Sequence, residues 1–135
     1  MEKFRIEEAF ATFENLMLVT LTIDPKPWIE RYGLEHYQEA MFRHVQERRS
    51  LWRVMDELDK GGFLASRRYV WVFECQRNGN AHWHLVVDAG FNRELVNAVR
   101  VAWDKQAPAW LRRELDRVND YGFGRIDLND GSRLK

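Results

Sequence analysis

The chain has 135 residues, 45% of them apolar and 13% aromatic, enough for one domain with a sizeable core and too hydrophobic for a disordered segment. Its 21 Lys and Arg are matched by 21 Asp and Glu, for a formal net charge of zero, so any anionic partner must be met by a local patch rather than a global field. A single cysteine, Cys75, excludes an internal disulfide framework and a Cys-cluster zinc site and points to a reducing cytoplasm. The longest uncharged apolar run, residues 16–23, is far short of the roughly 20 residues that cross a bilayer, and no signal-peptide pattern precedes it.

Ile6, Ala9, Phe10 and Phe13 fall at helical spacing and predict a short opening helix ending near Asn15. Residues 16–23, rich in β-branched side chains, predict a strand that the Asp24-Pro25-Lys26-Pro27 run stops. Met17, Val19, Leu21 and Ile23 share one of its sides; Leu18, Thr20 and Thr22 share the other, leaving two hydroxyls away from the apolar layer and toward a site. Residues 34–59 read as one long helix, ended by Gly61-Gly62, with Tyr37, Met41, His44 or Val45, Leu51 or Trp52, Met55 and Leu58 as its inner stripe. Arg43, Arg48, Arg49 and Arg53 then line its outer side among Glu39, Glu47 and Asp56, the pattern of a solvated charged face.

Residues 68–76 and 81–87 predict a hairpin around Asn78-Gly79. Asn92 is placed to cap a helix carrying Leu95, Val96, Val99, Ala102 and Trp103, and Pro108 to start another through Leu111, Leu115 and Val118. Residues 125–128 read as a last strand. The order predicts a single α+β domain over 1–135, a central antiparallel sheet with its helices mostly on one side.

His82 and His84 stand at i and i+2 on a strand, so both imidazoles point to one face within reach of a single metal ion. Whether Glu74 joins them depends on the hairpin register. A two-residue loop at Asn78-Gly79 pairs Cys75 with His82 and throws Glu74 to the opposite face. A three-residue loop, Arg77-Asn78-Gly79, with Gly79 left-handed in a bulge, pairs Glu74 with His82. Only the second register keeps a carboxylate out of the layer of Tyr69, Trp71, Phe73, Trp83, Leu85 and Val87, where an unpaired charge would cost several kcal/mol. The expected metal ligands are therefore Glu74, His82 and His84. Alternation sends Cys75 to the apolar side as a small buried residue, Asp88 reads as a strand-end turn residue, and His36 and His44 as ordinary helix residues.

Leu18-Val19-Thr20-Leu21-Thr22 on one strand, followed by His82-Trp83-His84 on a later one with Glu74 ahead, resembles the HUH endonucleases, and among them the rolling-circle replication initiators of phages and plasmids. The resemblance covers residues 12–128. It implies a ferredoxin- or RRM-like antiparallel sheet and metal-assisted nicking and joining of single-stranded DNA by a tyrosine that attacks the scissile phosphate, leaving a 5′-phosphotyrosine and a free 3′-hydroxyl. The family's usual ions are Mg²⁺ and Mn²⁺, and the donor set also suits Zn²⁺. The family's third motif, a nucleophilic tyrosine on a helix with a lysine a few residues on, has no match. Only Tyr121 follows the histidines, and the glycines around it favour a turn. A nucleophile beyond Lys135, in a domain without its catalytic-tyrosine helix, is the expectation, with Tyr121 the candidate inside the chain. Tyr32 and Tyr37 precede the histidines, as the nucleophile does in permuted relaxases, but belong in or near the long helix.

The partner expected from the resemblance is single-stranded DNA or an origin hairpin, bound in the cytoplasm by a monomer or weak oligomer, away from membranes. Its backbone needs cations and its bases need flat side chains. Arg77 and Arg125 are the phosphate candidates, Lys26 and Trp28 a cation and a stacking platform, and Thr20 and Thr22 hydroxyls on the open side. With no net charge, nonspecific affinity should be modest and should fall with salt. Two other readings use the same residues: a JAMM metalloprotease, although Leu85 stands where that pattern has proline, and a DNA-binding module without catalysis.

Overall fold

The structure, a computed structural model, describes residues 13–75, 80–118 and 122–130, the side chains of 114–118 excepted. The opening helix expected over 4–12, the hairpin turn with Arg77, and Tyr121 lie outside the described residues; residues 13–15 are not helical. In chain order the elements are β1 (Leu16–Ile23), α1 (Pro25–Tyr32), α2 (Tyr37–Arg48), α3 (Ser50–Lys60), β2 (Ser66–Cys75), β3 (Ala81–Asp88), α4 (Arg93–Asp104), α5 (Ala109–Val118) and β4 (Ile126–Asp130).

The four strands form one sheet in the order β2-β3-β1-β4, every neighbouring pair antiparallel. The expected α+β architecture is the one found. Alternation along β1 buries Met17, Val19, Leu21 and Ile23 with Trp83, Leu85 and Val87 of β3. Helical stripes cover that face: Met41 and Val45 from α2, Val54 and Leu58 from α3, Leu95, Val99 and Trp103 from α4, Leu111 from α5. The opposite face carries only a small apolar group at one end, Phe13, Leu16 and Val86 with Leu18 and Val70 against them.

Two helix boundaries correct the sequence reading. The prolines after β1 start a helix rather than merely ending a strand: Asp24 caps α1 by accepting from the Lys26 amide at 3.1 Å, and Pro25 occupies the first turn, where a missing N–H costs nothing. The long helix is two, broken at Arg49, whose φ of 57° and ψ of 44° are left-handed. No glycine or proline marks that break. Asn92 caps α4 as expected, accepting from the Leu95 amide at 2.7 Å. Asp88 is buried and accepts from the backbone amides of Glu14 (3.1 Å) and Asn15 (2.9 Å), tying down the entry to β1. Cys75 is exposed, not buried: it faces the core side by parity but is the last residue of an edge strand.

His44 is a groove residue on α2. Its Nε2 donates to the Gln106 carbonyl at 2.6 Å and its ring lies between Trp28 and Phe123. Burial holds this imidazole below its ordinary value and Arg48 pushes the same way, while the bond to Gln106 and nearby Glu47 oppose. The unfolded chain then binds the extra proton first as pH falls, so His44 contributes nothing unfavourable above about pH 6.5 and erodes stability progressively below it. Urea midpoints measured from about pH 7.5 down to about 5 should fall, and His44→Gln, less stable throughout, should show a shallower fall.

Candidate functional site

The open face of the sheet is built from two cross-strand rows. In one, Glu74 of β2 faces His82 of β3, which faces Thr22 of β1. In the other, Val72 faces His84, His84 faces Thr20, and Thr20 faces Asp127 of β4. The register required for Glu74 to share the histidine face is the one present. β1 and β3 are the two central strands, so both histidines stand on backbone paired on each side.

Each imidazole is oriented from behind. The Thr20 hydroxyl is 3.0 Å from His84 Nδ1, and the Thr22 hydroxyl 2.8 Å from His82 Nδ1. A hydroxyl can accept or donate here; where Nδ1–H donates to it, Nε2 keeps its lone pair and faces outward, the form that ligates a cation. The rings lie stacked, 21° between planes and 6.0 Å between centroids. His82 Nε2 is buried without a hydrogen-bond partner, and His84 Nε2 lies 3.8 Å from the Glu74 carboxylate, whose side chain is 54% exposed. Burial and the neighbouring His84 hold the His82 imidazole below its ordinary value, against the pull of Glu74, which favours its neutral state near pH 7.

Thr22 is fixed on three sides. Its amide donates to the Arg125 carbonyl at 2.9 Å, its carbonyl accepts from the buried Trp103 indole at 3.0 Å, and its hydroxyl meets His82. Gly124 lies so close beneath that a Cβ there would come within 2.6 Å of the Thr22 carbonyl carbon. Past this corner opens a cleft of about 570 Å³ lined by Thr22, Asp24, Asn80, Arg100 and Arg125 among others.

The other expected contact residues divide. Arg125 is exposed at the cleft, and Lys26 is exposed on the first turn of α1. Trp28 is only 1% exposed, enclosed by Tyr32, His44, Trp110 and Phe123, so neither ring face can stack on a base. Burying the largest apolar side chain of α1 won over presenting it. Thr20 and Thr22 spend their hydroxyls on the histidines, a role that sequence reasoning missed although their shared parity with His82 and His84 signalled the common face. The three expected ligands share that face but are not drawn into ligation spacing: among the described residues, no three acidic, imidazole or thiol groups stand close enough to hold an ion.

Compared with known families, residues 16–132 match the family described as replication-associated protein ORF2. The chain belongs to this family. The match spans β1 through β4 and so includes both histidines, both threonines and Glu74. No curated protein and no solved structure matched. Membership makes this a replication-associated protein and favours a DNA partner over the metalloprotease alternative. Among the described residues no helix is long and apolar enough to cross a membrane.

Proposed function

We propose that this replication-associated protein is the metal-dependent nicking and joining domain that initiates rolling-circle replication on single-stranded origin DNA, with Glu74, His82 and His84 as the ligands of a Mg²⁺ or Mn²⁺ ion. The observation that carries this reading is the buried, unpartnered Nε2 of His82 beside the Nε2 of His84, with Glu74 in the adjoining strand position. An orphaned buried nitrogen is a standing cost that a ligand removes. The donor set of two imidazoles and one carboxylate fits a divalent cation, and the exposed Glu74 side chain can reach the Nε2 atoms through a rotamer change.

When bound, the ion supplies positive charge to a non-bridging phosphate oxygen, offsetting the charge that develops as the backbone is cleaved. The protein's own part is positional. Thr20 and Thr22 hold the imidazoles so that Nε2 faces the open side, and Arg125 and Lys26, both at the cleft end of β1, bind backbone phosphates on either side of the scissile one. The tyrosine that would attack phosphorus, and carry the 5′-phosphate while the 3′-hydroxyl leaves, is Tyr121 if it lies in this chain.

The test has two readouts. Mn²⁺ uptake, followed by the loss of the free-ion paramagnetic resonance signal, should be stoichiometric with the protein. A labelled single strand carrying the replicon's own origin should then bind in Mn²⁺ and be released by chelator. A covalent adduct on a denaturing gel that disappears in Tyr121→Phe assigns the nucleophile. Ion-dependent binding with no adduct in any origin strand supports the binding-module reading, and no Mn²⁺ uptake at all sinks the metal site.

A further inference from the structure

The helical layer, on the far side of the sheet from the histidines, carries four arginines that the open face does not use. Arg48, at the end of α2, and Arg112, on α5, both donate through Nη2 to one acceptor, the Lys105 carbonyl, Arg48 at 3.1 Å. Arg53 donates through Nε to the carbonyl of Arg48 itself at 2.7 Å. The Arg49 guanidinium lies over the ring of Trp52, 5.0 Å from its centroid, and Trp52 is 43% exposed.

Among the described residues no carboxylate neutralises this group. Asp56 pairs with Lys60 and Arg67, Asp59 with Arg67, Glu57 with Lys105, and Glu39 with Arg43, and none of the four arginines is within ion-pair distance of a described acid. Carbonyls at the end of α4 hold the guanidiniums through partial charge only, and each guanidinium has five N–H donors, more than these bonds occupy. Three unfavourable features coincide here. Besides partial burial, Arg112 and Arg53 push the Arg48 guanidinium below its ordinary value. Arg49 and Arg53 are like charges at i and i+4 of one helix face. Arg49 itself is the only described non-glycine residue with positive φ, a conformation that is strained for a residue with a side chain.

We propose that Arg48, Arg49, Arg53 and Arg112 form a second DNA-binding surface, which grips the phosphate backbone of duplex DNA without reading its sequence while the histidine face engages a different segment. Planar guanidinium forks match phosphate oxygens two at a time, and a polyanion relieves the mutual repulsion that no described acid in the protein offsets. Family membership selects DNA over an acidic protein as the polyanion; nothing in the assignment depends on ion binding or strand cleavage.

The experiment is fluorescence anisotropy with a short mixed-sequence duplex, in chelator, across a range of salt concentrations. Chelator makes the outcome independent of the histidine site. The variant is Arg49→Asn with Arg53→Gln: both side chains are exposed, asparagine tolerates the left-handed backbone, and a thermal melt confirms that the double variant folds. It should bind the duplex about tenfold more weakly near 0.1 M salt, with a salt slope shallower by roughly two units for two lost phosphate contacts. Unchanged affinity and slope in the folded variant overturn the proposal. So does poly-glutamate competing as well as the duplex itself, which would assign the surface to an acidic protein instead.

Discussion

His84→Ala and His82→Ala are each expected to lower Mn²⁺ affinity about 100-fold or more, because even groups that merely orient a ligand are worth 10- to 100-fold. The threonines make the comparison informative. Thr22→Val keeps the shape of the side chain but removes the hydroxyl 2.8 Å from His82 Nδ1, so the ring loses its anchor while its Nε2 remains. That variant should bind Mn²⁺ about tenfold more weakly, and Thr22→Ser should recover most of the loss. Paramagnetic titration orders the series as wild type, Ser, Val, then the alanine variants. A Val variant as tight as wild type would show that the hydroxyl does not orient the ring, and alanine variants that keep full affinity would remove the histidines from the site.

Gly124→Ala is expected to destabilise the fold by about 3 kcal/mol, the upper range for overpacking, because the added methyl meets main chain instead of a side chain that could turn away. Its Cβ would lie 2.6 Å from the Thr22 carbonyl carbon and 2.8 Å from Ile23 Cα, besides overlapping the Thr22 carbonyl oxygen. The melting temperature should fall by roughly 10 °C. Relief requires the lead into β4 to move off β1, which disturbs the Thr22 amide bond to Arg125 and the site behind it. Gly90→Ala is the control: a Cβ there meets nothing within 4 Å, and its effect should stay within about 0.5 kcal/mol. Equal melting temperatures for the two variants would contradict the close approach seen at Gly124.

The two strand faces were legible from residue types because the side-chain period of a strand is two. Met17, Val19, Leu21 and Ile23 against Thr20 and Thr22 needs no tertiary information, and the same parity linked His82 to His84. The hairpin register followed from one further constraint, that Glu74 could not enter a face made of Phe73, Trp83 and Leu85, and Glu74 indeed stands opposite His82. The Asn92 cap was likewise a local hydrogen bond readable from one side chain. Reading failed where a local signal has two meanings. Proline after a strand both stops the ladder and starts a helix, and Trp28 looked available only because the helix that buries it had not been recognised.

The amino-acid sequence by itself determined which side chains share a face of the sheet and which register brings Glu74 beside the histidines, because alternation and the desolvation cost of a carboxylate act over a few residues. Tertiary structure alone decided that β1 lies between β3 and β4, and therefore that Thr20 and Thr22 stand behind the imidazoles. It also decided the left-handed turn at Arg49 and the meeting of Arg48 with Arg112 on one carbonyl. Those contacts join residues as far as 64 positions apart. Strand order and helix docking are set by how the whole apolar layer closes over the sheet, and no window of neighbouring residues carries that.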